Sequence, residues 1–225
     1  MSRHQTPEPS REPASSRAAI LAAARRRFSS VGYTATSMSD IVAEAGTSAG
    51  LPYYHFGSKK GLFLTIWAEY QRLQRQRTRT AIDDARASGG VGAGLLLVGI
   101  RAYLDGAWSN RQILPMVHGS DRPPGFDEEM RAGAERWNRQ MLALLSEYDQ
   151  HFAGVALLML TEALSRVCLQ LSRCTSEKQA QQTILDAVRL SSSMLEALPR
   201  EDGRVVYHLH PRLGRIGPQS SNGET

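Results

Sequence analysis

At 225 residues with 41% hydrophobic side chains, the chain is long enough to bury a full core in one or two domains. Two cysteines, Cys168 and Cys174, exclude a disulfide framework and a zinc-ligand spacing, and the longest apolar run, Val155 to Leu160, is far short of the ~20 residues that span a bilayer. The formal charge of +5 is unevenly placed: residues 1–80 carry 12 Lys/Arg against 5 Asp/Glu, and residues 81–225 carry 15 against 17. A basic first third on a near-neutral remainder is the footprint of a nucleic-acid module joined to another domain, although a solvated basic surface gives the same count. With no charged-then-apolar leader, we expect a cytoplasmic protein with no membrane partner.

Residues 1–13, rich in Pro, Ser and charge, are expected to be a disordered arm. A helix is predicted from Ser15, with Ile20, Ala23, Ala24 and Phe28 as its apolar stripe and Gly32 as its C-terminal cap. Its Arg25, Arg26 and Arg27 suit either the negative helix end or a phosphate. The stretch SMSDIVAEAGTSAGLPYYHF, Ser37 to Phe56, then reads as two short helices around a tight turn. Ser37 and Asp40 make a capping-box-like pair, Met38, Ile41, Val42 and Ala45 repeat at helical spacing, and Gly46 ends the first helix. Ser48 is expected to cap the second helix, whose small front end (Ser48, Ala49, Gly50) suits entry into a major groove. Pro52 then falls about where the first intrahelical N–H is needed, which the helix should survive with some stiffening or tilt.

A long helix from Ser58 to about Ala87 carries Leu62, Phe63, Ile66, Trp67, Tyr70 and Leu73 on its apolar side and Arg72, Arg75 and Arg79 on another. Ser88-Gly89-Gly90 breaks it. Further helices are predicted over Leu95–Trp108, Arg111–His118, Asp127–Tyr148, His151–Cys174 and Ser176–Leu198, with a Pro- and Gly-bearing loop at 119–126. Residues 199–225 are expected to form a flexible tail, with VVYHLH at 205–210 as a short extended piece. The fold class is therefore all-α, about nine helices in total. The divisions are 14–74 for a helix-turn-helix domain with its motif at 37–56, and 75–198 for a larger helical bundle.

The succession of Ile20, Ala23, Ala24 and Phe28, then Gly32-Tyr33, TSMSDIVAEAG and SAGLPYYHFGSKKGLF resembles the DNA-binding domain of the TetR family of bacterial regulators, over roughly residues 14–74. The resemblance implies a homodimeric, ligand-responsive transcriptional regulator, most often a repressor, that binds double-stranded DNA at a pseudo-palindromic operator. It implies dimerisation through the last two long helices and release by a small-molecule effector. An effector-independent DNA-binding protein of the same fold, acting through a protein partner, is the alternative. Carried onto this sequence, the resemblance implies that Thr36 or Ser37 contacts a phosphate, Ser39 lies near the groove, and Ser48, Ala49, Gly50 and Leu51 face base edges. Tyr53 meets a thymine methyl or the backbone, Tyr54 and His55 the backbone, and Lys59 a phosphate. Core packing is the competing reading for the tyrosines.

No catalytic constellation is present in the sequence, so we expect no enzyme activity and no cofactor. His208 and His210 lack a third ligand for a metal, and none is expected. For the effector, Trp67, Tyr70, Tyr103, Trp108, Met116, His118, Trp137 and Met141 are the aromatic and soft residues on helices expected to surround a cavity, and they suit a broad apolar ligand.

Overall fold

The computed structural model describes residues 12–201, and within them the chain folds into nine α-helices and two short 3-10 turns. α1 (Glu12–Ser30), α2 (Met38–Ala45) and α3 (Leu51–Phe56) gather at the N-terminal end. α4 (Lys59–Ala87), about 43 Å long at ~1.5 Å per residue, leads from that group into a bundle. The bundle comprises α5 (Gly92–Ser109), α6 (Leu114–His118), α7 (Phe126–Leu142), α8 (Gln150–Ser172) and α9 (Glu177–Glu196). The all-α class and the helix number read from the sequence are those of the structure.

The N-terminal group is held by the stripe that the sequence displays. Ile20, Ala23, Ala24 and Phe28, joined by Leu21, are buried against Ile41 of α2 and Leu62, Phe63 and Ile66 of α4. Each large apolar side chain so buried stabilises by about 1.5–3 kcal/mol. α1 begins at Glu12 and not at Ser15, so the expected arm of residues 1–13 ends in helix; residues 1–11 lie outside the described chain. The arginine triplet has a use that neither sequence reading anticipated. Arg25 pairs with Glu69 of α4, Arg26 Nε lies 2.6 Å from Glu44 Oε1, and an Arg27 guanidinium nitrogen lies 3.3 Å from Asp40 Oδ2. Part-exposed pairs contribute at most ~1 kcal/mol each, so they set the orientation of α1 against α2 and α4 more than they stabilise it.

α4 changes character along its length. Leu62, Phe63, Ile66 and Tyr70 are buried, but Leu73, expected on the apolar side, is exposed and Gln74 is buried in its place. The reason is local bonding: Gln74 Nε2 donates to Tyr70 Oη and to the Tyr103 carbonyl, both at 3.0 Å, which makes burial of an amide tolerable. α5 starts at Gly92, three residues ahead of the predicted Leu95, and packs along α4. Helix α7 stops at Leu142 and passes into a 3-10 turn, short of the predicted Tyr148.

α8 is long and apolar enough by composition to cross a membrane, yet it packs against α5, α6, α7 and α9. Its outward face keeps Phe152, Val155, Leu158 and Met159 exposed, and Leu190 is exposed on α9. The tail expected from residue 199 is anchored at its start. The Pro199 carbonyl accepts from Asp149 N at 2.9 Å, Arg200 pairs with Glu147 at 2.8 Å, and Glu201 N donates to the Glu147 carbonyl at 3.2 Å. The extended piece expected at 205–210, with His208 and His210, lies outside the described residues.

Candidate nucleic-acid interface

The first helix of the motif is built as its residues dictate. Ser37 Oγ accepts from Asp40 N at 3.1 Å while the Asp40 carboxylate accepts from Ser37 N at 2.9 Å, a reciprocal capping box. Those bonds, with the neighbouring Arg27, hold the Asp40 carboxyl below its ordinary value, so it is charged where the helix N-terminus favours an anion. Gly46 closes the helix at φ +63°, the left-handed region that glycine enters without strain.

The second helix differs from expectation. It starts at Leu51, and the residue at its N-cap is Gly50, which offers no side-chain bond. Ser48, Ala49 and Gly50 therefore belong to the turn, with the Ser48 carbonyl accepting from Leu51 N at 3.2 Å, and Ser48 is not the cap. The shift also disposes of the difficulty with Pro52. It occupies the first turn, where the missing N–H has no helical partner to lose, and its ring is buried. Pro52 thus fits where the helix starts. Behind it Tyr53 and Tyr54 project into solvent, 54% and 83% exposed. Ser39, Ser48, Ala49 and Gly50 are exposed beside them, Leu51 is half-buried, and His55 is half-buried between the rings of Tyr54 and Phe56.

Other site residues turn inward. Thr36 is 1% exposed and its Oγ1 donates to the Gly32 carbonyl at 2.6 Å, leaving the hydroxyl occupied inside the loop. Lys59 Nζ donates to the carbonyls of Tyr33 and Thr36 at 2.9 and 2.8 Å and lies 4.4 Å from the centre of the Tyr33 ring. An ammonium has three donors. Two are spent on the loop between α1 and α2, and a third contact, to the Thr34 carbonyl, is at 3.5 Å. The phosphate role expected of Lys59 conflicts with this geometry: the residue ties the start of α4 to the loop that leads into α2.

The same loop is also gripped from the bundle. Asp121, in the connection between α6 and α7, accepts from Thr34 N at 3.1 Å and from Thr34 Oγ1 at 2.5 Å. Those hydrogen bonds, with the Lys59 charge, hold its carboxyl below the ordinary value. Gly32, at φ +94°, passes so close to Asp121 that a Cβ there would collide with the carboxylate. Next to it Lys60 Nζ donates to the Pro124 carbonyl at 2.9 Å. Phe126 is buried edge-on against Phe63 at 5.0 Å and Trp67 at 5.3 Å, and Phe63 in turn packs on Phe28 and Tyr33. The connection therefore joins the bundle to the aromatic core of the N-terminal group. Asp121, Lys60 and Phe126 were not among the residues singled out from sequence; the loop was visible by its prolines, but its partner lies about ninety positions away in the chain.

The eight residues expected around a cavity are distributed through the bundle interior. Tyr70, Met116 and Met141 are buried in the core, with Trp67, Tyr103, Trp108 and Trp137 half-buried beside them. Tyr70 and Tyr103 meet Gln74 and Cys168, whose Sγ donates to Tyr103 Oη at 3.7 Å; burial pushes the Cys168 thiol up to about 12 and raises both phenols. His118 Nδ1 bonds to Ser165 Oγ at 2.9 Å, and burial, with Arg122 nearby, lowers its pKa to about 4, so the imidazole is neutral at physiological pH. A solvent-open groove of about 710 Å³ lies elsewhere, between α4 and the end of α5, lined by Leu73, Gln74, Arg77, Thr80, Asp84 and Asn110 among others. None of the eight lines it.

This arrangement, a capped helix, a tight turn and a second helix with an exposed front on a helical bundle, defines a helix-turn-helix DNA-binding regulator. Residues 20–66 match the family described as bacterial regulatory proteins, tetR family. Among solved structures the chain is similar to a TetR-like transcriptional regulator from Rhodococcus sp. RHA1, at 21% identity and a TM-score of 0.64 over 85% of this chain and 97% of that one. It is also similar to NalD, the secondary repressor of the MexAB-OprM multidrug efflux pump in Pseudomonas aeruginosa, at 20% identity and a TM-score of 0.62 over 84% and 97%. At such identities these likenesses carry the fold. No curated protein matches the sequence. Over residues 20–66, the helix-turn-helix segment, the chain carries the pattern of the tetR family of bacterial regulatory proteins, and over most of its length it shares their fold.

Proposed function

We propose that this regulator is a ligand-responsive repressor that binds a pseudo-palindromic operator as a homodimer. Residues 14–74 form the reading head and residues 75–198 the effector-binding and dimerisation domain. The observation that carries the DNA reading is the free surface at the turn: Tyr53 and Tyr54 stand exposed on a helix whose neighbours Ser39, Ser48, Ala49 and Gly50 are small and also exposed. Small side chains allow close approach to a groove, and the tyrosines supply apolar and hydroxyl contacts to thymine methyls and phosphates. With few groups able to make bidentate bonds, specificity rests on backbone fit and DNA shape. Dimerisation is supported by the exposed Phe152, Val155, Leu158 and Met159 on α8, an apolar stripe that a partner's α8 and α9 would cover.

The connection from Asp121 to Phe126 is the route by which the second domain would bias the first. Any rearrangement around α6 pulls on Thr34 and Phe63, and hence on the angle between the two reading heads. Allosteric coupling of this sort is typically about 1–3 kcal/mol, or roughly 5- to 150-fold in affinity. The alternative is an effector-independent regulator of the same fold working through a protein partner. Selection of bound genomic fragments by the purified chain tests both. Recovery of a two-fold symmetric site supports the dimeric operator, and release of that site by small molecules that the products of neighbouring genes act on separates the two readings. Failure to enrich any sequence would remove the repressor proposal.

A further inference from the structure

Three nitrogen atoms at the junction of α4, α6 and the α6–α7 connection are buried without a hydrogen-bond partner: Trp67 Nε1, His118 Nε2 and Arg122 Nε. They share one neighbourhood. The Trp67 ring stands edge-on to Phe126 at 5.3 Å, the Arg122 guanidinium lies 5.8 Å from the centre of the same ring, and His118 is close enough to Arg122 to feel its charge. We propose that these three nitrogens are the polar end of a binding site for an uncharged or anionic aromatic molecule that carries a carbonyl or carboxylate oxygen. The inference rests on the ligand-responsive reading given above and names the chemistry of its ligand.

The donor inventory selects the ligand. Indole Nε1–H and guanidinium Nε–H donate and never accept. The indole and guanidinium nitrogens therefore call for an acceptor, while the neutral His118 imidazole, bonded to Ser165 Oγ through Nδ1, offers Nε2 as donor or acceptor according to its tautomer. Folded proteins leave few buried donors without a partner, and two of these three, on Trp67 and Arg122, flank the one Phe126 ring. The other buried atoms of this kind lie on α1, in the α2–α3 turn and on α3, within the reading head. Arg122 is held in place by Asp127, 2.7 Å from its terminal nitrogen, which leaves Nε free, and its side chain is 24% exposed, so the site lies close to solvent. A ligand cation is disfavoured by the guanidinium beside it. The half-buried Trp67 ring suits a flat aromatic body. Arg122 follows Asp121 in the chain, so a ligand drawn to Arg122 acts on the same connection that holds Thr34.

Three probes with one aromatic body and different heads test the site on the full chain: 2-naphthoate, 2-naphthamide and 2-naphthylmethylamine. Affinity is read by titration calorimetry and thermal shift for the wild type and for Trp67→Phe and Arg122→Lys, which keep the ring and the charge respectively. The acid and the amide are expected to bind at millimolar or lower concentration and the amine not, with each substitution weakening the acid about tenfold, the loss of one hydrogen bond. Equal binding of the amine, unchanged affinity in both variants, or no binding of any probe overturns the proposal. Operator binding is measured in parallel so that the two readings fail separately. A probe that binds as described without releasing DNA leaves this site standing and removes the effector role. An effector that releases DNA with equal potency from the wild type and from both variants does the reverse.

Discussion

The two ends of the helix-turn-helix motif are built for different purposes. At its leading end, from Gly32 to Ser37, almost every polar group is engaged inside the protein: Thr36 with Gly32, Thr34 with Asp121, Ser37 with Asp40, and the Tyr33 and Thr36 carbonyls with Lys59. At its trailing end, from Ser48 to Tyr54, the side chains make no such bonds, and Tyr53 and Tyr54 are exposed. Residues that look alike in sequence, a threonine, a serine or a lysine beside the second motif helix, are thus divided between bonded scaffold and exposed surface by what surrounds them. Distant elements bond the leading end, and none bond the side chains of the trailing end.

The largest expected break in that contrast comes from behind the leading end. Phe126→Ala removes a fully buried ring from the Phe28, Tyr33, Phe63 and Trp67 cluster and should cost about 3–5 kcal/mol in chemical denaturation. A loss below ~1 kcal/mol would mean that the connection merely rests on the head. Lys59→Met comes next. Breaking two charge-assisted bonds to carbonyls and the contact with Tyr33 should destabilise by about 2 kcal/mol, because the accepting carbonyls lose their partner. The salt dependence of DNA binding should stay as in the wild type. If instead the slope of log K against log salt falls by about one unit while stability holds, Lys59 leaves the loop to grip a phosphate.

The trailing end should respond in the opposite way. Tyr53→Ala and Tyr54→Ala are expected to weaken operator binding by about 1–2 kcal/mol each, roughly 5- to 30-fold, with unfolding midpoints unchanged. A drop in the midpoint with normal DNA affinity would make these tyrosines packing residues.

The legible parts of this fold are those governed by local rules. The stripe from Ile20 to Phe28, the capping box at Ser37, the Gly46 terminator and the Ser58 cap of α4 each depend on residues within a turn or two of one another. The start of α3 lies two residues beyond the one that a Ser48 cap predicts, because Ser48 is a good cap in isolation, whereas Pro52 is better accommodated when the helix begins at Leu51. Gln74 for Leu73, the arginine pairs and the grip of Asp121 depend on contacts between distant segments, which no local period displays. The roles of Lys59 and Thr36 were unreadable for the same reason: residue type and position fit a phosphate contact, and only the surrounding carbonyls show where the donors go.

Asp121 offers the finest test, because its effect is expected to be small and to have a definite pH signature. Its carboxyl is held below the ordinary 3.8 chiefly by the Thr34 hydroxyl, then by the Thr34 and Tyr33 amides and the Lys59 charge. A group with a lowered folded-state pKa stabilises the protein above its unfolded value, and that contribution disappears as the pH falls through the folded value. Wild type should therefore melt slightly above Asp121→Asn at neutral pH, and the gap should close only below about pH 3.8. Because the carboxylate is exposed, solvent screening keeps the gap modest and high salt should narrow it further. Asp40 titrates in the same range, but it is present in both proteins and cancels in the difference. A gap that persists unchanged to lower pH would show that Asp121 acts on Thr34 by shape and not by charge, and the leading end would then be held by packing alone.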